Sequence, residues 1–239
     1  MPLVRKIALV FSILFCGSVA LAAAAMAAGG PGPGLPPGNY TFKTTFGNAS
    51  AGSDPTQPQI SVFVSQGLNS FKPKGGGPET VQNSTMVQIF ISSPTVNGSD
   101  CFVVQPSDFT FASNVQSASL HTTLTTGNIC TGIGKPVTGS SITAGVTPFA
   151  GGGGPGLPLP MTLDVTWTGL GVTGIGQDHN TFHCGSYSTN ANSSTKSAGA
   201  TASISVSAFK DTFDSSTASL FSSDTNLNVR NVPLAACFG

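Results

Sequence analysis

The densest run of chemically capable side chains in this sequence is Asp178-His179-Asn180-Thr181-Phe182-His183-Cys184. Two histidines four residues apart share one face of a helix and can chelate zinc there. Gly174, Gly176 and Gly185 flank the run and argue for strand and loop instead. In a strand four residues span about 13 Å, too far for one ion to bridge. The run is therefore expected to be polar surface, with no metal ligand in it.

Other reactive chemistry has few candidates. The histidines are His121, His179 and His183, and the only glutamate, Glu79, lies in a Gly/Pro loop. His121 sits in an alternating segment beside Thr122 and Thr123 and reads as a partly exposed strand residue rather than a base. No Gly-x-Ser-x-Gly turn exists to present a serine nucleophile. Asp211 and Asp214, the carboxylates nearest in sequence, stand beside Lys210 and read as a solvated turn rather than the convergent pair of a glycosidase. Gly132-Ile-Gly-Lys-Pro136 has proline where a phosphate loop needs Ser or Thr, and calcium loops of the Asp-x-Asp-x-Asp type are absent. No catalytic residue and no cofactor are assigned, and the chain is expected not to be an enzyme. One binding candidate is left: Tyr187 follows the Cys184-Gly-Ser loop, and an exposed tyrosine face there would stack on a sugar ring.

The compartment follows from residues 1–28. Arg5 and Lys6 precede an apolar run from Ile7 to Phe15 and then alanine-rich sequence, the pattern of an export signal. Bulky Phe15 before Cys16 disfavours a lipoprotein site. The expected product is secreted, extracellular or held at the cell envelope, with no membrane span in the mature chain. Cys101, Cys130, Cys184 and Cys237 would then form two disulfides, with three connectivities open and Cys101–Cys130 plus Cys184–Cys237 preferred because sequence-near pairs close most readily. Removing Arg5 and Lys6 leaves seven basic against nine acidic residues, too weak a field to draw nucleic acid. Only 8 % of residues are charged, against about 25 % in ordinary soluble domains. Solubility must rest on hydroxyls and amides.

The elements that would position these residues are strands. Period-two alternation runs through Tyr40–Phe46, Ile60–Val64, Val87–Ile91, Ala118–Leu124, Met161–Trp167 and Ala200–Ala208, and it returns at Leu227 and Val229. No amphipathic helix of ten or more residues is evident; Ser215–Ser222 is the one stretch expected to form a short helical turn. Gly/Pro tracts at 29–38, 74–78 and 151–160 read as loops. Strands with one apolar and one hydroxyl-rich face need a second layer. The expected architecture is all-β: a two-sheet antiparallel β-sandwich over 39–239, behind a leader at 29–38, with a β-barrel as the alternative. Trp167 is expected in the core. Asn39, Asn48, Asn83, Asn97 and Asn192 each begin an Asn-x-Ser/Thr sequon, which a Ser/Thr-rich chain produces by chance.

Ser117-Ala-Ser-Leu-His-Thr-Thr-Leu124, Leu163-Asp-Val-Thr-Trp-Thr-Gly169, Ser197-Ala-Gly-Ala-Thr-Ala-Ser-Ile204 and Ala218-Ser-Leu220 stand in an order that resembles a group of uncharacterised secreted bacterial β-proteins. The likeness spans roughly residues 60–230 and departs in the long Gly/Pro inserts and in the segment after Trp167. It implies a secreted, all-β, bacterial protein and no site. The function expected is a non-enzymatic surface or matrix-associated structural or adhesive module, with a carbohydrate-binding module as the alternative and a hydrolase well behind. Extracellular polysaccharide or cell-surface components are the expected partners.

Overall fold

The computed structural model describes residues 35–52, 57–130 and 156–231. The expected export signal, most of the Gly/Pro leader and Cys237 lie outside those residues. The alternating segments become ten strands: β1 (Gly38–Ala51), β2 (Gln59–Pro73), β3 (Thr80–Ser92), β4 (Asn97–Val104), β5 (Phe109–Phe111), β6 (Ser117–Leu124), β7 (Met161–Cys184), β8 (Tyr187–Val206), β9 (Thr212–Asp214) and β10 (Thr217–Arg230). No α-helix occurs among the described residues. Ser215–Ser222 is no helical turn: from Thr217 onward it pairs with β1 on one side and, from Ala218, with β8 on the other. Ladder hydrogen bonds to two neighbours outweigh the weak local preference of a serine-rich stretch.

All ten strands belong to one antiparallel sheet with the order β4-β3-β2-β1-β10-β8-β7-β6-β5, β9 pairing with β8. The sheet is not closed into a barrel, and its two wings pack face to face as the layers of a sandwich do. Trp167 on β7 shows the overlap. Its ring is fully buried, and its Nε1 donates to the Asn48 carbonyl of β1, three strands away in the sheet, at 2.8 Å. Gly47 leaves room for that ring, since a Cβ there would stand 3.1 Å from it. An indole buries roughly 200 Å², which at ~25 cal/mol per Å² amounts to about 5 kcal/mol. At the far edge Cys101 of β4 is disulfide-bonded to Cys130, with Cα atoms 5.3 Å apart, and a single bridge pairs Phe102 with Ile129. The pairing expected for these two cysteines is the one formed.

A second core lies on the other face of the same sheet. Successive strand residues point to opposite faces, and β1 pairs with β2 and β10 without a bulge. Gly47, Ala49 and Ala51 therefore face the sandwich, whereas Tyr40, Phe42 and Phe46 face away from it. The same reversal occurs along β8, where Ala198 through Val206 line the sandwich core and Tyr187 and Ala191 the other, and along β10 between Leu220 and Leu227. Phe46, stacked on Phe221 at 4.8 Å and tilted against Phe63 at 5.5 Å, marks the crossover. Beyond it β1, β2, β7, β8 and β10 continue as an arm, with the start of β3 (Thr80 to Thr85) beside β2. The alternating apolar residues thus supply two cores rather than the single one expected of them.

Candidate functional site: the polar face of the arm

Tyr187 closes the β7–β8 hairpin opposite Cys184, and it is fully buried. Its ring meets Phe182 edge-on at 6.2 Å and packs in the arm core with Tyr40, Leu227 and Val229. Tyr187 is therefore not a sugar-stacking platform: the period-two phase of β8 turns it to the apolar face, one residue from the polar one. Tyr40 stacks on Phe71 at 4.5 Å and donates from its hydroxyl to the Pro36 carbonyl at 2.7 Å. Burial, aided by the neighbouring Tyr187, pushes the Tyr40 phenol up to about 12. Burial also raises Tyr187.

The opposite face of the arm is polar across five strands. In-register rows run Lys72–Asn39–Asn228–Asn190–Thr181, Ser70–Thr41–Asn226–Asn192–His179 and Leu68–Lys43–Asp224–Ser194–Gln177 from β2 to β7. Strands stand about 4.8 Å apart and successive rows about 7 Å, so the side chains form a regular lattice. They also bond to one another. Asn228 Nδ2 donates to Asn39 Oδ1 at 2.6 Å, Thr41 Oγ1 to Asn226 Oδ1 at 3.0 Å, and Asn226 Nδ2 to Asp224 Oδ1 at 3.1 Å. His179 Nδ1 donates to Asn192 Oδ1 at 2.6 Å, and Asn192 Nδ2 to Asn190 Oδ1 at 3.1 Å. Lys43 pairs with Asp224 at 3.3 Å. Asparagine usually avoids strands because its amide competes for nearby backbone. Here lateral partners occupy the amides, which removes that competition and orients them.

The run from Asp178 to Cys184 is thus the β7 margin of this lattice. His179 and His183 lie on one extended strand about 13 Å apart, and no group of three His, Cys, Asp or Glu side chains suited to a metal occurs among the described residues. Cys184 is disulfide-bonded, and its expected partner Cys237 lies outside the described residues. His121 bonds to Asp164 through Nδ1 on the exposed outer face of the sandwich, and that hydrogen bond, then the carboxylate charge, raises its pKa above the usual imidazole value. The register continues from Asp164 to Ser205. The acid therefore stands between imidazole and hydroxyl, the wrong order for a nucleophile–base–acid relay. Asp211 and Asp214 line an open groove of about 730 Å³ beside Lys210 and Phe213. No helix among the described residues is long and apolar enough to cross a membrane.

Comparison with known protein families, curated proteins and solved structures finds no match for this chain. The lattice itself was open to sequence reading. Asn190-x-Asn192 and Asn226-x-Asn228 alternate with apolar Ala191, Leu227 and Val229, the trace of an amide face over an apolar one.

Proposed function

We propose that this protein is a non-catalytic extracellular adhesive module that holds an extended, hydroxyl-rich surface through the polar face of its arm. The five-strand amide and hydroxyl lattice carries the reading. Many weak, regularly spaced donors and acceptors suit a repetitive partner, because each contact adds to the others once the first is made. The near-neutral side-chain set makes such contact insensitive to salt. A disulfide and a charge-poor, hydroxyl-rich composition fit work outside the cell.

Retention of the oxidised protein on insoluble polysaccharides, cell walls and whole cells tests this. Wild type is expected to be retained, and the combined variant Asn192→Ala, Asn226→Ala, Asn228→Ala to be washed off with its thermal unfolding nearly unchanged. Equal retention of the two proteins would refute the assignment. The second reading is a carbohydrate-binding module proper. It is favoured by amides that carry donor and acceptor together, as paired sugar hydroxyls require. In that case one free sugar releases the protein from one glycan and no other.

A further inference from the structure

The rows of the polar lattice are not equivalent. In the row Ser70–Thr41–Asn226–Asn192–His179 both ends of each amide are taken. Asn226 accepts from Thr41 and donates to Asp224, and Asn192 accepts from His179 and donates to Asn190. In the row Lys72–Asn39–Asn228–Asn190–Thr181 each amide is held at one end only. Asn39 and Asn190 accept through Oδ1, and Asn228 donates through Nδ2. Among the described residues the other end has no protein partner: a donor on Asn39, an acceptor on Asn228 and a donor on Asn190. The lateral bonds thus orient this row and leave it alternating between donor and acceptor. Its ends, Lys72 and Thr181, are exposed.

Chemistry and spacing narrow what can lie along such a row. A polyanion or a polycation satisfies only half of an alternating set, whereas a hydroxyl both donates and accepts. Neighbouring positions stand about 4.8 Å apart. An extended peptide turns its groups to one side only every ~7 Å and falls out of step by the second strand. One pyranose of an extended β-1,4-linked chain advances by close to one strand spacing and carries hydroxyls on both of its edges. The twist of the sheet decides between a chain and a crystal. At roughly 20–25° per strand the row turns by roughly 80–100° from β2 to β7, so a flat crystalline face meets only about two or three of its strands. A single chain can follow them all.

We infer that the row from Lys72 to Thr181 is a subsite array for a single chain of a neutral β-1,4-linked polysaccharide, laid across the strands with one sugar to each. This rests on the reading above of the polar face as the contact face, and it names the partner class and the row that touches it. The row has five positions among the described residues, one each on β2, β1, β10, β8 and β7. Strand β3 begins opposite Phe71 and stops short of Lys72. Five sugars therefore fill the array.

Titration calorimetry of the oxidised full chain with β-1,4-linked gluco-, xylo- and manno-oligosaccharides, from disaccharide to heptasaccharide, tests this. In at least one series affinity is expected to climb with each sugar as far as the pentasaccharide and then level. Asn228→Ala, at the middle of the row, should weaken pentasaccharide binding roughly fivefold or more. Thr181→Ala, at one end, should move the plateau from pentasaccharide to tetrasaccharide and leave shorter ligands unaffected, a change that a merely structural role would not produce. Should Asn228→Ala fail to fold, Thr181→Ala, at an exposed position, carries the test. Binding of none of the three series, affinity independent of length, a climb that continues to the heptasaccharide, or an unmoved plateau in Thr181→Ala would each overturn the inference. Blank titrations beside persisting retention of wild type on cell walls would remove the row assignment and leave the adhesive reading in place. A length-dependent titration beside no retention on any surface would do the reverse.

Discussion

The sandwich and the arm share one sheet but are stabilised differently. In the sandwich the two wings cover each other, and one large core draws on the strands from β4 at one edge of the sheet to β5 at the other, with Trp167 fully buried in it. In the arm five long strands bury one face in a small cluster around Tyr40 and Tyr187, and they leave the other face to water. Burial area scales stability, so the arm is expected to open before the sandwich does. The arm can present a wide ordered polar surface because its order comes from backbone ladders continuous with the sandwich.

The sharpest test of that contrast is truncation in each core. Trp167→Ala should lower unfolding free energy by about 3–5 kcal/mol and destabilise every strand together in denaturant titration. Tyr187→Ala should release arm amides to exchange while the protection of β6 and the first half of β7 persists. Uniform loss of protection in both variants would make sandwich and arm one cooperative unit. Next in size, replacing Cys101 and Cys130 together by serine removes a cross-link over 29 residues and should cost about 3–4 kcal/mol. Calorimetry should place that loss in the sandwich transition.

Alkaline pH probes the arm alone. The Tyr40 phenol is raised from 10.0 to about 12 in the folded protein. The unfolded chain therefore releases this proton first, and the stabilisation is complete below pH 10 and lost as pH rises toward about 12. Arm amides should lose protection across that window before sandwich amides do, and Tyr40→Phe should remove the Tyr40 share of the change, leaving that of Tyr187. A smaller effect is expected from Asn226→Asp, which sets a second carboxylate beside Asp224 and should cost about 0.2–1 kcal/mol, relieved by salt. Smallest is His121. Its raised pKa means that pairing with Asp164 stabilises below the unfolded imidazole value and fades as pH climbs past the folded one. His121→Gln should flatten that shallow trend, seen as a pH-independent melting temperature near neutrality.

Much of this fold is legible in the residues themselves. The alternation of Met161–Trp167 and Ala118–Leu124 marks β7 and β6, and the near pair Cys101–Cys130 is the bond formed. The single continuous sheet is not legible, because alternating strands look alike whether a turn keeps them in one sheet or carries them to another. Tyr187 shows the limit at one residue. A Gly-Ser turn advertises exposure, yet parity in β8 decides which face the next ring takes, and only the strands packed on that face show it to be the buried one.

By itself the sequence determined that this chain is β-rich, poor in charge and able to form a near-neighbour disulfide, because period, composition and cysteine spacing are local properties. The tertiary structure alone decided that the apolar phase reverses beyond Phe46 and that five strands align their amides. Burial and register are relations between strands far apart in the chain, and no single strand carries them.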